Sequence, residues 1–199
     1  MLLMLKNAVV LILFLGMPSH LIAEDIMMEN FENNPEARWR FFADTVMGGV
    51  STGQVEFKTE HGKSYAHMTG QVSTANNGGF IQIRMDLPTS VPAGTQGIRL
   101  TVRGNVQSYF VHLRTNGTLL PWQYYQAKFD VTQDWTKVEL PFSSFEASGS
   151  LLRDTPRAQN LKSVGIVAYG RDHDAEIGVH EINFYFPHSG LKPPTSVGK

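Results

Sequence analysis

The 199-residue sequence contains no cysteine. That absence removes disulfide frameworks, thiolate nucleophiles, iron–sulfur clusters and sulfur-ligated zinc, so any catalysis would fall to oxygen and nitrogen groups. Charge excess is missing as well: 17 Lys and Arg stand against 18 Asp and Glu, a formal net charge of -1. No bulk field exists to hold a polyanion by counterion release or to dock the chain on an anionic membrane, and a nucleic-acid partner is not expected. Long helical patterns are also lacking. Beyond the first two dozen residues no stretch keeps a 3.6-residue apolar period over three turns. Met27–Asn33 and Pro156–Leu161 are the best short-helix candidates.

The only long uncharged apolar run is Ala8 to Met17, preceded by Lys6 and followed by Pro18 to Ala23 and the acidic pair Glu24-Asp25. About ten apolar residues fall well short of the roughly 20 a spanning helix needs. With small Ala23 before the cut, residues 1–23 read as a signal peptide. Leu21, where a small residue is preferred, leaves an uncleaved anchor as the alternative. A mitochondrial presequence would be Arg-rich, whereas the first arginine here is Arg38. The expected product is a periplasmic or secreted protein with no integral membrane span after cleavage.

What is present is a period of two. Ile98, Leu100 and Val102 alternate with Arg99, Thr101 and Arg103, Tyr109, Val111 and Leu113 with Phe110, His112 and Arg114, and Val138 and Leu140 with Lys137 and Glu139. Further strands are expected at Trp39–Phe42, Gln54–Lys58, Ser64–Thr69, Gly79–Leu87, Gln123–Phe129, Val164–Tyr169 and Ile177–Phe186, with a hairpin turn at His61-Gly62. Ten or so short strands separated by Gly, Pro, Asn and Asp predict an all-β antiparallel β-sandwich of jelly-roll type over residues 24–186. Residues 187–199 hold too little apolar surface to pack and read as a disordered tail.

Gly49-Val50-Ser51-Thr52-Gly53 spells G-x-S-x-G, but a hydrolase elbow leaves a strand and enters a helix. Gln54 to Lys58 alternates as a strand instead, so a glycine-rich turn is the expectation and no catalytic residue is assigned. A glycosidase would need two carboxylates facing each other across a cleft. Glu56, Glu139, Glu146 and Glu181 all sit at positions that read as solvent-facing. Asp172-His173-Asp174 places adjacent side chains on opposite faces of an extended segment, and no calcium-loop spacing occurs, so neither a metal nor a cofactor is expected.

Two glycine-rich corners are more informative: Asp44 to Ser51, with Gly48-Gly49, and Asn76-Asn77-Gly78-Gly79-Phe80. Together with Trp39, Gly53, Gly70, Val72 and Arg84, and more loosely Arg114, Trp122, Tyr124-Tyr125 and Leu140-Pro141-Phe142, they resemble the complex I intermediate-associated protein 30 family. The resemblance runs from Phe31 to Phe186. It implies a galactose-binding-domain-like jelly roll and a non-enzymatic, chaperone-like role in assembly.

Tyr109, Trp122, Tyr124, Tyr125 and Trp135, with His112, Arg114 and Gln123, form an aromatic and polar set on successive strands. If Tyr109, Val111 and Leu113 face the core, Phe110, His112 and Arg114 face a ligand side. Aromatic rings that accept sugar C–H faces beside Arg, Gln and Asn suit a glycan, and Trp, Tyr and Arg equally suit a protein interface. The candidate binding residues are Asp44, Ser51, Asn76, Asn77, His112, Arg114, Trp122, Tyr124 and Tyr125. The expected partner is a protein client, with a glycan as the alternative.

Overall fold

A computed structural model describes residues 25–187. The stretch 1–23 read above as a signal peptide and the stretch 187–199 read as a tail lie outside them, save for Pro187. Twelve strands form in chain order: β1 (Ile26–Glu29), β2 (Trp39–Ala43), β3 (Thr52–Glu60), β4 (Lys63–Val72), β5 (Phe80–Asp86), β6 (Gly97–Gly104), β7 (Ser108–Thr115), β8 (Tyr125–Asp130), β9 (Thr136–Pro141), β10 (Glu146–Ala147), β11 (Leu161–Tyr169) and β12 (His173–Tyr185). They pair antiparallel into two sheets. The first runs β3-β4-β12-β6-β9, with β1 also on β12, and the second runs β10-β8-β7-β11-β5-β2.

The alternation read from sequence sets which faces meet. Ile81, Ile83 and Met85 of β5, Tyr109, Val111 and Leu113 of β7, and Val164 and Ile166 of β11 point inward from the second sheet. They meet Met68 of β4, Ile98, Leu100 and Val102 of β6, and Ile177 and Ile182 of β12. Each such side chain contributes roughly 1.5–3 kcal/mol relative to leaving it in water. On β12 a register shift between Val179 and Glu181 inserts a bulge, after which Ile182 returns to the core. The sandwich is thus the expected one, and His61 and Gly62, at φ 50° and 76°, make the β3–β4 hairpin turn.

The Met27–Asn33 helix does not form. Its first half is β1, and Phe31, Asn33 and Asn34 all take positive φ, which ends any helical path. The cause is Glu29, only 3% exposed. Its carboxylate accepts the backbone N–H of Asn30 and Phe31, the indole N–H of Trp39 at 2.9 Å, and the guanidinium of Arg38 at 2.8 Å. Local capture of backbone donors outcompetes the helix. Within Pro156–Leu161 only a single 3-10 turn, Ala158–Asn160, appears. No described helix is long and apolar enough to cross a membrane.

Candidate binding face on the second sheet

Residues that alternate with the core positions of the second sheet point out of the sandwich, and the strand order β8-β7-β11-β5-β2 brings distant segments side by side. One register row crosses all six strands. Arg40 of β2 lies opposite Arg84 of β5, Arg84 opposite Gly165 of β11, Gly165 opposite His112 of β7, His112 opposite Gln126 of β8, and Gln126 opposite Glu146 of β10. At 4.7–4.9 Å per strand the row is about 24 Å long.

Aromatic rings flank this row. Tyr124 stacks on the His112 ring, with centroids 4.1 Å apart and planes 10° from parallel. Tyr169 meets His112 edge-on at 6.0 Å and Phe110 at 5.9 Å. At the β2 end the Arg84 guanidinium lies 4.5 Å from the Phe42 ring. Between Arg84 and His112 stands Gly165, which is buried and has the Gln82 side-chain oxygen 3.3 Å from where a Cβ would lie.

In this row Arg84 Nε is buried with no hydrogen-bond partner in the protein, and the buried His112 Nε2 and Gln126 Oε1, on cross-strand neighbours whose side chains interact with each other, find no further partner. Buried polar groups are nearly always satisfied, and one left unmade costs about 1–3 kcal/mol, so the unpartnered Arg84 donor stands out on this face. Burial pushes the His112 imidazole down to about 4, and burial with the neighbouring Tyr169 pushes the Tyr124 phenol up to about 12. Both are neutral across the physiological range. Burial also lowers Arg84, and the like charges of Arg114 and Arg40 add to that against the opposing pull of Asp86. The face therefore offers stacking surface and a set of neutral hydrogen-bonding groups around a sheltered guanidinium.

The residues singled out in the sequence divide among several places. His112, Arg114 and Tyr124 are on this face. Trp122 is 65% exposed in the loop that leads into β8. That loop is tied to the face because Arg114 donates to the carbonyls of Thr118 and Leu120. Tyr125 and Tyr109 are core residues. Trp135 lies across the sandwich on the outer face of the first sheet, where Arg103 sits 4.6 Å from its ring and 5.1 Å from that of Tyr65. Asn76 and Asn77 are exposed at left-handed φ of 57° and 58° in a turn before β5. Missed were Phe42, Gln82, Arg84, Gln126 and Tyr169. The alternation of Gln82 and Arg84 with Ile81 and Ile83 marks them as outward-facing, but not as neighbours of His112.

Asp44 and Ser51 are 0% and 1% exposed and serve the fold. The Asp44 carboxylate accepts the Ser51 backbone N–H at 2.9 Å and its hydroxyl at 2.5 Å, and the backbone N–H groups of Gly79 and Phe80 at 2.5 and 3.3 Å. Ser51 Oγ in turn accepts the Ser73 N–H at 3.0 Å. A Cβ at Gly49 or Gly78 would fall 2.3 Å from the Asp44 carboxyl group, so both corners need glycine to close around it. The two glycine-rich motifs are one buried clamp joining the ends of β2 and β5 to the ends of β3 and β4.

Burial works against ionisation of both Asp44 and Glu29, and their hydrogen bonds outweigh it, so both carboxyls lie below their ordinary values. A depressed folded value stabilises the fold above the unfolded value and is lost as pH falls through the folded one. Melting temperature is expected to hold above pH about 4.5 and to decline steadily below it. Thermal scans between neutral and strongly acid pH check this, and a flat profile would count against both networks. Among the described residues no cluster of three or more His, Asp and Glu could hold a metal ion.

Comparison with known proteins follows this geometry. No curated protein matches the chain in sequence. A Clostridium thermocellum family 11 carbohydrate-binding module, solved with a β-1,3-1,4-mixed-linked tetrasaccharide, has a TM-score of 0.67 at 14% identity, covering 81% of this chain and 95% of that one. The same family's module in the cellulosomal cellulase Lic26A-Cel5E of that organism also scores 0.67 at 14% identity, with 82% and 95% covered. An exo-β-agarase scores 0.53 at 7% identity, covering 84% of this chain but only 26% of the enzyme. These likenesses show the jelly-roll fold, and the two Clostridium structures are binding modules by description. The family model for complex I intermediate-associated protein 30 matches residues 29–179, and the chain belongs to that family.

Proposed function

We propose that this domain is a non-catalytic binding module that takes an extended glycan along the outer face of its second sheet. The observation that supports it is the row from Arg40 to Glu146. It is long enough for several sugar units, is bordered by the Tyr124–His112–Tyr169 rings, and carries the unpartnered Arg84 Nε beside a His112–Gln126 pair that has no other partner. Sugar C–H faces pack on aromatic rings, and hydroxyl groups both donate and accept, which suits a neutral imidazole beside an amide. The fold accommodates such a ligand, as the tetrasaccharide in the Clostridium module illustrates. With residues 1–23 read as a signal peptide, the ligand is met in the periplasm or outside the cell.

The test is titration of the chain with soluble polysaccharides. Tyr124→Ala is expected to weaken binding about tenfold, in line with the 0.5–1.5 kcal/mol of an aromatic contact beyond its buried area. Gly165→Val puts a branched side chain between Arg84 and His112 and is expected to abolish binding. Its Cβ would come 3.3 Å from the flexible Gln82 side chain, so the fold should persist with a small adjustment. Unchanged affinity in both folded variants would exclude this face.

Recognition of a protein client in assembly is the second reading. Family membership supports it, and so do the exposed side chains of Val46, Met47 and Val50 at the tip that the Asp44 clamp braces. Stoichiometric co-purification lost on Met47→Asp, with no polysaccharide binding, would favour it.

A further inference from the structure

Charge on this face is not distributed as a neutral-glycan site requires. Its cations are Arg40, Arg84, Arg114 and Lys128, and its carboxylates are Asp86, Asp130 and Glu146. The one ion pair among them is Arg40–Asp86 at 2.7 Å, between two exposed side chains at the β2 edge. Asp130 accepts from Ser108 at the opposite side of the sheet. Among the described residues neither Arg84 nor Arg114 has a carboxylate within ion-pair distance, and their nearest neighbours between them on β11 are small: Ser163, opposite Arg114, and Gly165, opposite Arg84. The net charge of -1 over the whole chain hides this local excess.

Arg84 is the telling member. Its guanidinium is half-buried against Phe42, and its Nε is buried with nothing to donate to. Asp86 attracts it but is paired with Arg40, and a sheltered cation without a bonded counter-ion is costly, with neutral hydroxyl groups offsetting little of that cost. An anionic oxygen pair offsets far more, because a guanidinium donates two parallel N–H bonds to a carboxylate or sulfate in one geometry. Resting on the glycan reading above, we propose that the glycan is acidic, and that a carboxylate or sulfate ester of one sugar unit seats on Arg84, flanked by Arg114. The shared chemistry is a negative oxygen pair on a sugar, and it places ring recognition at the stack of Tyr124 on His112 of β7 and charge recognition at Arg84 two strands away on β5.

The experiment measures affinity of the full chain for polygalacturonate and alginate as carboxylate polymers, ι-carrageenan as a sulfate polymer, and mixed-linkage β-glucan as a neutral one, with poly-L-glutamate as a charge control. At least one acidic polysaccharide is expected to bind about tenfold or more tighter than the neutral polymer and poly-L-glutamate. That advantage should disappear in Arg84→Gln, and Arg84→Lys, which keeps charge but not the fork, should recover only part of it. Which of the uronate and sulfate polymers binds identifies the anionic group. Arg114→Gln, expected to weaken the same polymer, is the second variant should Arg84→Gln fail to keep its melting temperature. Preference for the neutral polymer, unaffected by Arg84→Gln, would overturn the acidic ligand and leave the glycan reading standing. Equal binding of poly-L-glutamate would reduce the effect to charge alone and overturn the proposal. Binding to none of the polysaccharides would overturn the glycan reading and this inference together.

Discussion

Asp44→Ala is expected to lower the melting temperature by roughly 10 °C, the equivalent of about 3 kcal/mol in a domain of this size. The carboxylate is the common acceptor for two donors of Ser51 and for the backbone N–H groups of Gly79 and Phe80, and it is fully buried. Alanine leaves all four donors facing a void, each with its own desolvation cost. Ser51→Ala removes one donor to the carboxylate and the acceptor of the Ser73 N–H but leaves Asp44 its three backbone partners, so its effect should be smaller, about 1–2 kcal/mol. Gly78→Ala should approach the severity of Asp44→Ala, because the new methyl group would occupy the place of Asp44 Oδ2. Thermal unfolding followed by circular dichroism ranks the three. An Asp44→Ala protein that melts with the parent would show that the clamp contributes nothing to stability.

Glu29→Ala is the second large effect. Arg38 would lose its ion pair, the Trp39 indole its acceptor, and the turn after β1 the carboxylate that captures the N–H groups of Asn30 and Phe31. Removing one partner of a buried pair costs about 3–5 kcal/mol, and because Arg38 keeps a side-chain exposure of 37% and can be hydrated, the lower end applies. Glu29→Gln keeps one acceptor oxygen and should fall between parent and alanine. Guanidinium unfolding monitored at several wavelengths gives the ordering. Identical midpoints for the parent and Glu29→Ala would refute the assignment.

Much of the fold was legible because alternation in β5, β6 and β7 is strict. Inward Ile, Val, Leu, Met and Tyr alternate with outward Arg, Gln, His, Thr and Phe, so each strand and its buried side are visible from a few residues. Strands β1 and β10 were not, since Ile26–Glu29 and Glu146–Ala147 are too short to display a period. Their existence depends on partners far away in the chain. The binding face was legible only in part for the same reason. His112 and Arg114 announce an outward side by local alternation, but Arg84 becomes a neighbour of His112 only because β11 enters between β5 and β7. The aromatic set of Tyr109, Trp122, Tyr124, Tyr125 and Trp135 shares a stretch of sequence and not a surface. Pairing divides it among the core, the candidate face and the opposite sheet. Glycine-rich corners were conspicuous in sequence, but their role was invisible there, because what they close around is the buried carboxylate of Asp44, a charged residue whose type ordinarily belongs at the surface.

The position of β12 has a consequence for synthesis on the ribosome. This last strand lies inside the first sheet, with β6 along one side and β4 and β1 along the other. A nascent chain that has not yet emerged past Tyr185 holds the β3–β4 hairpin and the β6–β9 pair as separate pieces, each with an open edge and an apolar face. Native topology is therefore denied to the growing polypeptide until its final described segment arrives, and that delay lengthens its exposure to aggregation.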